Sequence, residues 1–226
     1  TVLGRSFGMY QKEYEEAALR VLHSGWYILG PEVKKFEEKF AEKMGAKHCI
    51  AVNSGTDALI LALRALGIGK GDDVLVPAGS YIASVIGVTE NGAQPEYVDS
   101  DEFMLMDPEK IEERITPRTR AILPVHMYGQ ACDMEKISEI ARKYDLFLIE
   151  DCAQSHGAKV GNKYTGTFGK IGCFSFYPTK PLGAMGDGGV LLTDDDKLAE
   201  QLRMMRNYGS KVKYHNEIPG INSRMD

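Results

Sequence analysis

Lys180 lies in a turn stiffened by Pro178 and Pro181, directly after the apolar segment Cys173-Phe174-Ser175-Phe176-Tyr177. A strand there sets Phe174 and Phe176 on one face and Ser175 on the other, so the backbone aims both the hydroxyl and the lysine. A lysine amine is nucleophilic once uncharged, a form favoured by burial or a neighbouring cation, and it then condenses with an aldehyde. Composition alone reads the same lysine as a surface charge in a Gly/Pro-rich turn. Gly186-Asp187-Gly188-Gly189 follows closely.

Two further segments carry groups that suit the same chemistry. Leu146-Phe147-Leu148-Ile149 is an apolar strand that ends in Glu150-Asp151. Asp151 at a ligand-binding edge would hold a protonated ring nitrogen and keep the ring electron-withdrawing. A helix cap or a loop acid is the other reading, and Glu150, which points to the opposite face, is the other candidate acid. Asn53-Ser54-Gly55-Thr56-Asp57-Ala58 joins a strand to a long helix. Free N–H groups at that helix start, with the macrodipole, attract an anion, and Gly55 lets the backbone approach it. A capped helix start without a ligand fits the same residues.

These segments must be positioned by a larger frame. Apolar runs predict strands over 48–52, 73–76, 96–98, 121–125, 146–150, 172–177 and 190–193, alternating with helices over 56–66, 80–90, 108–114, 134–144 and 195–206. Asp107 and Asp133 are set to cap two of these helices. Ahead of them, helical spacing predicts a helix over 11–23 and another from Pro31 stopped by Gly45. Such alternation means a mostly parallel sheet covered on both sides, which binds ligands at the carboxyl ends of its strands.

Composition narrows the function classes. A net charge of -5 and no dense block of Lys and Arg argue against nucleic acid as a partner. With no apolar run of about 18 residues and no signal-peptide pattern, the chain reads as cytoplasmic, with no membrane partner. The cysteines Cys49, Cys132, Cys152 and Cys173 stand far apart and read as reduced thiols. The histidines have no metal-ligand spacing, so no metal is expected; His156 belongs either beside Gln154 in a pocket or in the core. Gly67-Ile68-Gly69-Lys70-Gly71 follows a helix rather than a strand, which disfavours a nicotinamide-binding fold.

The chain resembles the sugar aminotransferases of the DegT/DnrJ/EryC1/StrS family, within the aspartate-aminotransferase-like fold (type I) of pyridoxal 5'-phosphate (PLP) enzymes. The resemblance extends from Gly25-Trp26-Tyr27-Ile28-Leu29-Gly30-Pro31 to Asn222-Ser223-Arg224. It is carried by Ser54-Gly55-Thr56-Asp57-Ala58-Leu59, by Glu150-Asp151-Cys152-Ala153-Gln154-Ser155-His156-Gly157, by Ser175-Phe176-Tyr177-Pro178-Thr179-Lys180 and by Gly186-Asp187-Gly188-Gly189. It implies an α/β fold: a three-layer α/β/α large domain with a central, mostly parallel seven-stranded sheet over residues 31–226, preceded by a helical segment over 1–30. The family's small C-terminal domain is expected to be missing from this chain, which suggests a fragment or a split gene product.

Carried over by position, the resemblance implies that Gly55, Thr56 and Ser175 bind the PLP phosphate and that Tyr81 stacks on the ring. Asp151 pairs with the ring nitrogen, Gln154 contacts the cofactor near its ring oxygen, and Lys180 bonds to it and acts as the catalytic base. Asn222 and Arg224 match residues that reach a neighbouring subunit's phosphate and substrate carboxylate, so a homodimer is expected. Lys180, where some relatives carry histidine and dehydrate their substrate, favours transamination. The implied substrates are L-glutamate as amino donor and a nucleotide-linked keto sugar as acceptor, in amino-sugar biosynthesis. A PLP-binding regulatory or structural subunit is the competing reading; it would bind cofactor without responding to glutamate.

Overall fold

In a computed structural model, residues 2–212 and 214–226 are described. Three helices open the chain: α1 (Leu3–Met9), α2 (Gln11–Ser24) and α3 (Pro31–Met44). There follow β1 (His48–Val52), α4 (Gly55–Ala65), β2 (Asp73–Pro77), α5 (Ile82–Thr89), β3 (Gln94–Val98), β4 (Thr119–Ile122), α6 (Met134–Lys143) and β5 (Phe147–Asp151). A short hairpin, β6 (Lys159–Val160) and β7 (Lys163–Tyr164), leads to β8 (Ile171–Ser175), β9 (Gly189–Thr193) and α7 (Asp196–Met205). A second hairpin, β10 (Ser210–Val212) and β11 (His215–Asn216), comes last.

Seven strands form one sheet in the order β1-β9-β8-β5-β4-β2-β3. Strand β9 is antiparallel to both neighbours, and every other pairing is parallel. The expected mostly parallel, seven-stranded α/β sheet is therefore present. Its order also brings the carboxyl ends of β1, β2, β4, β5 and β8 to one edge, with the start of β9 between two of them.

One apolar cluster joins α4, α6 and α7 to β2, β4 and β5, through residues such as Leu61, Leu75, Ile122, Ile137, Ile149 and Leu202. The other joins Val33, Phe40 and Met44 of α3 to Ala51, Phe174, Val190 and Leu192. Phe174 meets Phe40 edge-on at 5.3 Å, the offset geometry that aromatic quadrupoles favour. Pro31 opens α3, while Gly25 and Gly45 end α2 and α3 in left-handed conformation. Asp133 accepts the Lys136 N–H at the start of α6, as expected of a cap.

Differences from the expected elements have local causes. Residues 108–114 form two 3-10 turns rather than an α-helix. The segment is too short to repay helix nucleation before Thr116-Pro117, which demands extended backbone. Helix α5 begins at Ile82 instead of Ser80, because Tyr81 is extended at the N-cap, with ψ of 147°. Helix α1 has no counterpart among the individually predicted helices, although it falls within the expected helical segment over 1–30; its Gly4 and Gly8 are poor helix formers, and its Phe7 stacks on Tyr14 at 6.0 Å. Among the described residues, no helix is long and apolar enough to cross a membrane. All four cysteines are buried free thiols.

Candidate active site

The shared sheet edge encloses a cavity of about 470 Å³, within the range of small-molecule sites. Its lining includes Gly55, Thr56, Tyr81, Asp151, Gln154, Ser175 and Lys180. These residues are distributed over four strand ends, so the sheet order, not sequence proximity, assembles them.

The phosphate-type cradle arises where β1 passes into α4. Ser54 is the N-cap and its hydroxyl accepts the Asp57 N–H at 3.1 Å. Gly55 and Thr56, the first two helical residues, lie where an α-helix leaves N–H groups without intrahelical partners. Ser175 faces them from β8, and its oxygen accepts the Tyr177 N–H at 3.3 Å, leaving the hydroxyl proton for another acceptor. The fit is close: a Cβ on Gly55 would lie 2.5 Å from the Ser175 Cβ. Gly55→Ala is therefore expected to destabilise the fold by about 1–3 kcal/mol, as overpacked sites do. Thermal denaturation checks this, and an unchanged melting temperature would contradict the packing argument.

Asp151 ends β5 and is 5% exposed. Its carboxylate accepts the Ala153 N–H at 3.1 Å and the Ser84 hydroxyl at 2.9 Å. Burial raises its pKa above the ordinary carboxylate value, against the opposing effects of these two hydrogen bonds and of the Lys180 charge. A carboxylate has about four acceptor sites, so a further cationic donor is accommodated and electrostatically favoured.

Glu150 is the alternative acid, and its surroundings give it another task. It is fully buried on the opposite face of β5. Its two oxygens accept the N–H groups of Gly166, Phe168 and Gly169, each at 2.7 Å, and also contact His126 Nε2 at 3.1 Å. His126 Nδ1 accepts the Cys132 N–H, so the ring proton lies on Nε2, pointing at Glu150. Glu150 thus anchors the loop before β8. His126, Glu150 and Cys152 are close enough together to suggest a metal group. However, the carboxylate is already satisfied by protein donors, and burial pushes the Cys152 thiol up to about 12.

Lys180 is half-buried, and its backbone N–H donates to the Tyr177 carbonyl at 2.8 Å, closing the turn that carries it. Gln154 Oε1 accepts the Tyr128 N–H at 2.8 Å, which leaves the amide nitrogen as the donating end. Tyr81 is 71% exposed at the cavity wall. His156 is not among the lining residues; it packs against Phe174 and Phe176 at 5.4 and 5.3 Å. Burial, with the Lys180 charge acting in the same direction, pushes its pKa down to about 4.

Asn222 and Arg224 are not in the cavity wall. Asn222 bridges to Asn207, and the Arg224 guanidinium lies over the Tyr208 ring while Nη1 donates to Asn207 Oδ1 at 3.3 Å. Sequence reasoning missed Ser84, Thr179 and Asp187 as lining residues. Asp187 had a signal in its glycine-rich setting. Ser84 had none, because its partner Asp151 is 67 residues away.

Comparison with known proteins agrees in outline. The model of the DegT/DnrJ/EryC1/StrS aminotransferase family matches residues 9–226. The chain is 56% identical over 218 residues to the dTDP-3-amino-3,6-dideoxy-alpha-D-galactopyranose transaminase of Aneurinibacillus thermoaerophilus, covering 96% of this chain and 60% of that enzyme. Among solved structures, DesV of S. venezuelae, in complex with a ketimine intermediate, superposes with a TM-score of 0.97 at 49% identity, covering 99% of this chain and 61% of that one. NtdA from Bacillus subtilis, with bound cofactor PMP, has a TM-score of 0.90 at 38% identity, covering 95% of this chain and 49% of its own. The chain thus spans about 60% of the length of the curated relative.

Proposed function

Because the chain belongs to the DegT/DnrJ/EryC1/StrS aminotransferase family, we propose that it is the cofactor-binding part of a PLP-dependent transaminase that passes an amino group from L-glutamate to a nucleotide-linked keto sugar. In this reading residues 31–226 are the cofactor-binding large domain, residues 1–30 are a helical lead-in, and the protein works in the cytoplasm in amino-sugar biosynthesis.

The observation that carries the reading is the placement of Lys180, Asp151 and the start of α4 around one cavity. Their chemistry fits PLP in three ways. The helix start and the Ser175 hydroxyl offer donors to a phosphate, the buried Asp151 carboxylate keeps acceptor sites for a cationic donor, and a half-buried lysine stands in the same wall. When bound, PLP supplies an aldehyde that condenses with amines and a ring that withdraws electrons from the adjoining carbon.

The chain's own residues do the rest. Gly55, Thr56 and Ser175 hold the phosphate. Asp151 would hold the ring nitrogen and keep it protonated. Tyr81 would cover one ring face, and Gln154, whose oxygen is taken by the Tyr128 N–H, would offer its amide N–H to the ring oxygen. Lys180 would hold the aldehyde end, and its amine, once free and uncharged, would serve as the base that takes and returns the proton at the donor's alpha carbon. Asn222 and Arg224 serve the neighbouring subunit of a homodimer. Exposed Tyr81 in the cavity wall, with exposed Ile82 next to it in sequence and exposed Tyr128 bonded to the lining residue Gln154, supports that assembly, since a second copy would cover them.

The direct test is spectroscopic. Full-length protein reconstituted with PLP is expected to lose its aldehyde-derived absorbance when L-glutamate is added, with release of 2-oxoglutarate. PLP binding without any response to amino donors would favour a non-catalytic subunit, and no PLP binding at all would remove the reading.

A further inference from the structure

Strand β1 is an edge of the seven-stranded sheet, and side chains rather than another strand satisfy its open side. The Ala51 N–H donates to Glu37 Oε1 at 2.7 Å, and the Ala51 carbonyl accepts from Arg206 Nη1 at 2.6 Å. Two residues on, at the next position facing the same side, the Asn53 N–H donates to the Ser223 hydroxyl oxygen at 3.1 Å. Ser223 is fully buried, and its backbone N–H donates to the Arg206 carbonyl at 2.9 Å. Its hydroxyl proton goes to Asp57 Oδ2 at 2.6 Å, across 166 residues of sequence.

Asp57 is the third residue of α4, immediately after the two N–H groups of the cradle. A carboxylate in the first turn of a helix is drawn to that turn's free N–H groups by their partial positive charge. Left alone, Asp57 would compete with any anion for the Gly55 and Thr56 N–H groups and would repel it. Its bond to Ser223 fixes the carboxylate toward the strand edge and the C-terminal segment instead.

We propose that Ser223 is a positioning residue for the phosphate cradle, its hydroxyl holding the Asp57 carboxylate off the Gly55 and Thr56 N–H groups so that they stay free for a phosphate monoester. The proposal rests on the PLP reading for the identity of the ester, but it concerns only the phosphate end of the ligand.

The test compares PLP with pyridoxal, which lacks the phosphate, by absorbance titration of the full-length protein. In Ser223→Ala the preference for PLP over pyridoxal is expected to fall about tenfold, the size of one hydrogen bond to a charged group, with pyridoxal affinity unchanged. Adding Asp57→Asn to that variant is expected to restore most of the preference, because the freed side chain no longer carries charge. Equal weakening of both ligands, an unchanged preference, or no recovery in the double variant would overturn the proposal. Should Ser223→Ala not fold, Asp57→Asn alone decides: the preference is expected to hold or rise, and a fall counts against the clamp. If wild-type protein binds neither pyridoxal form, the PLP reading fails separately. Inorganic phosphate then serves as the probe, read by the amide shifts of Gly55 and Thr56. Smaller phosphate-induced shifts in Ser223→Ala support the clamp, and identical ones sink it.

Discussion

Replacing Lys180 with alanine is expected to remove the covalent attachment of PLP and to lower turnover by about 10³-fold or more, since one side chain serves as both nucleophile and base. Borohydride reduction followed by peptide mapping should find cofactor bonded to Lys180 in the wild type and nowhere in the variant. The phosphate donors and Asp151 remain in Lys180→Ala, so PLP is expected to bind it reversibly. The fold should survive, because the turn is closed by the Lys180 backbone N–H to the Tyr177 carbonyl, which alanine retains. Lys180→Arg separates charge from chemistry: it keeps a cation beside Asp151 but lacks a free amine, and should be as inactive as the alanine variant. Turnover within about tenfold of wild type in either variant would show that the lysine is not the reacting group.

Much of this site was legible because its parts are local. Pro178 and Pro181 around Lys180, the abrupt end of an apolar strand in two acids, and a small turn opening a helix each announce themselves within a few residues. Strand alternation also assigns Glu150 and Asp151 to opposite faces, but sequence alone leaves open which face meets the cavity. That was resolved by the loop at 166–169, whose N–H groups occupy both Glu150 oxygens. What stayed hidden depends on partners distant in sequence. Ser84 meets Asp151, Ser223 meets Asp57, and Arg206 meets Glu37 only because the sheet order brings their elements together. A serine in a helix or a polar tail has no periodicity that betrays such a role. For His156 the sequence leaves pocket and core both open, and the ring packs against Phe174 and Phe176.

Asp151→Asn is expected to separate catalysis from cofactor retention. The carboxylate is nearly fully buried, and its existing partners, the Ala153 N–H and the Ser84 hydroxyl, leave it a full negative charge with lone pairs to spare. Opposite a protonated ring nitrogen that charge becomes half of a buried ion pair, and removing one partner of such a pair costs about 3–5 kcal/mol, or roughly 10²–10³-fold or more in rate. Turnover should fall by that factor while Lys180 still retains PLP covalently. The cofactor-free protein should respond in the opposite direction. Burial raises the Asp151 pKa above its unfolded value of 3.8. The folded state therefore holds its proton more tightly than the unfolded chain, and stability declines as pH rises from 3.8 through the raised value. Above the raised value that cost is fully present, and asparagine, which has no charge to bury, removes it. Thermal denaturation of the cofactor-free forms should accordingly find Asp151→Asn at least as stable as wild type at pH 7, with the advantage shrinking toward pH 3. A variant that is less stable at neutral pH and yet fully active would mean that the acid serves the fold and not the ring.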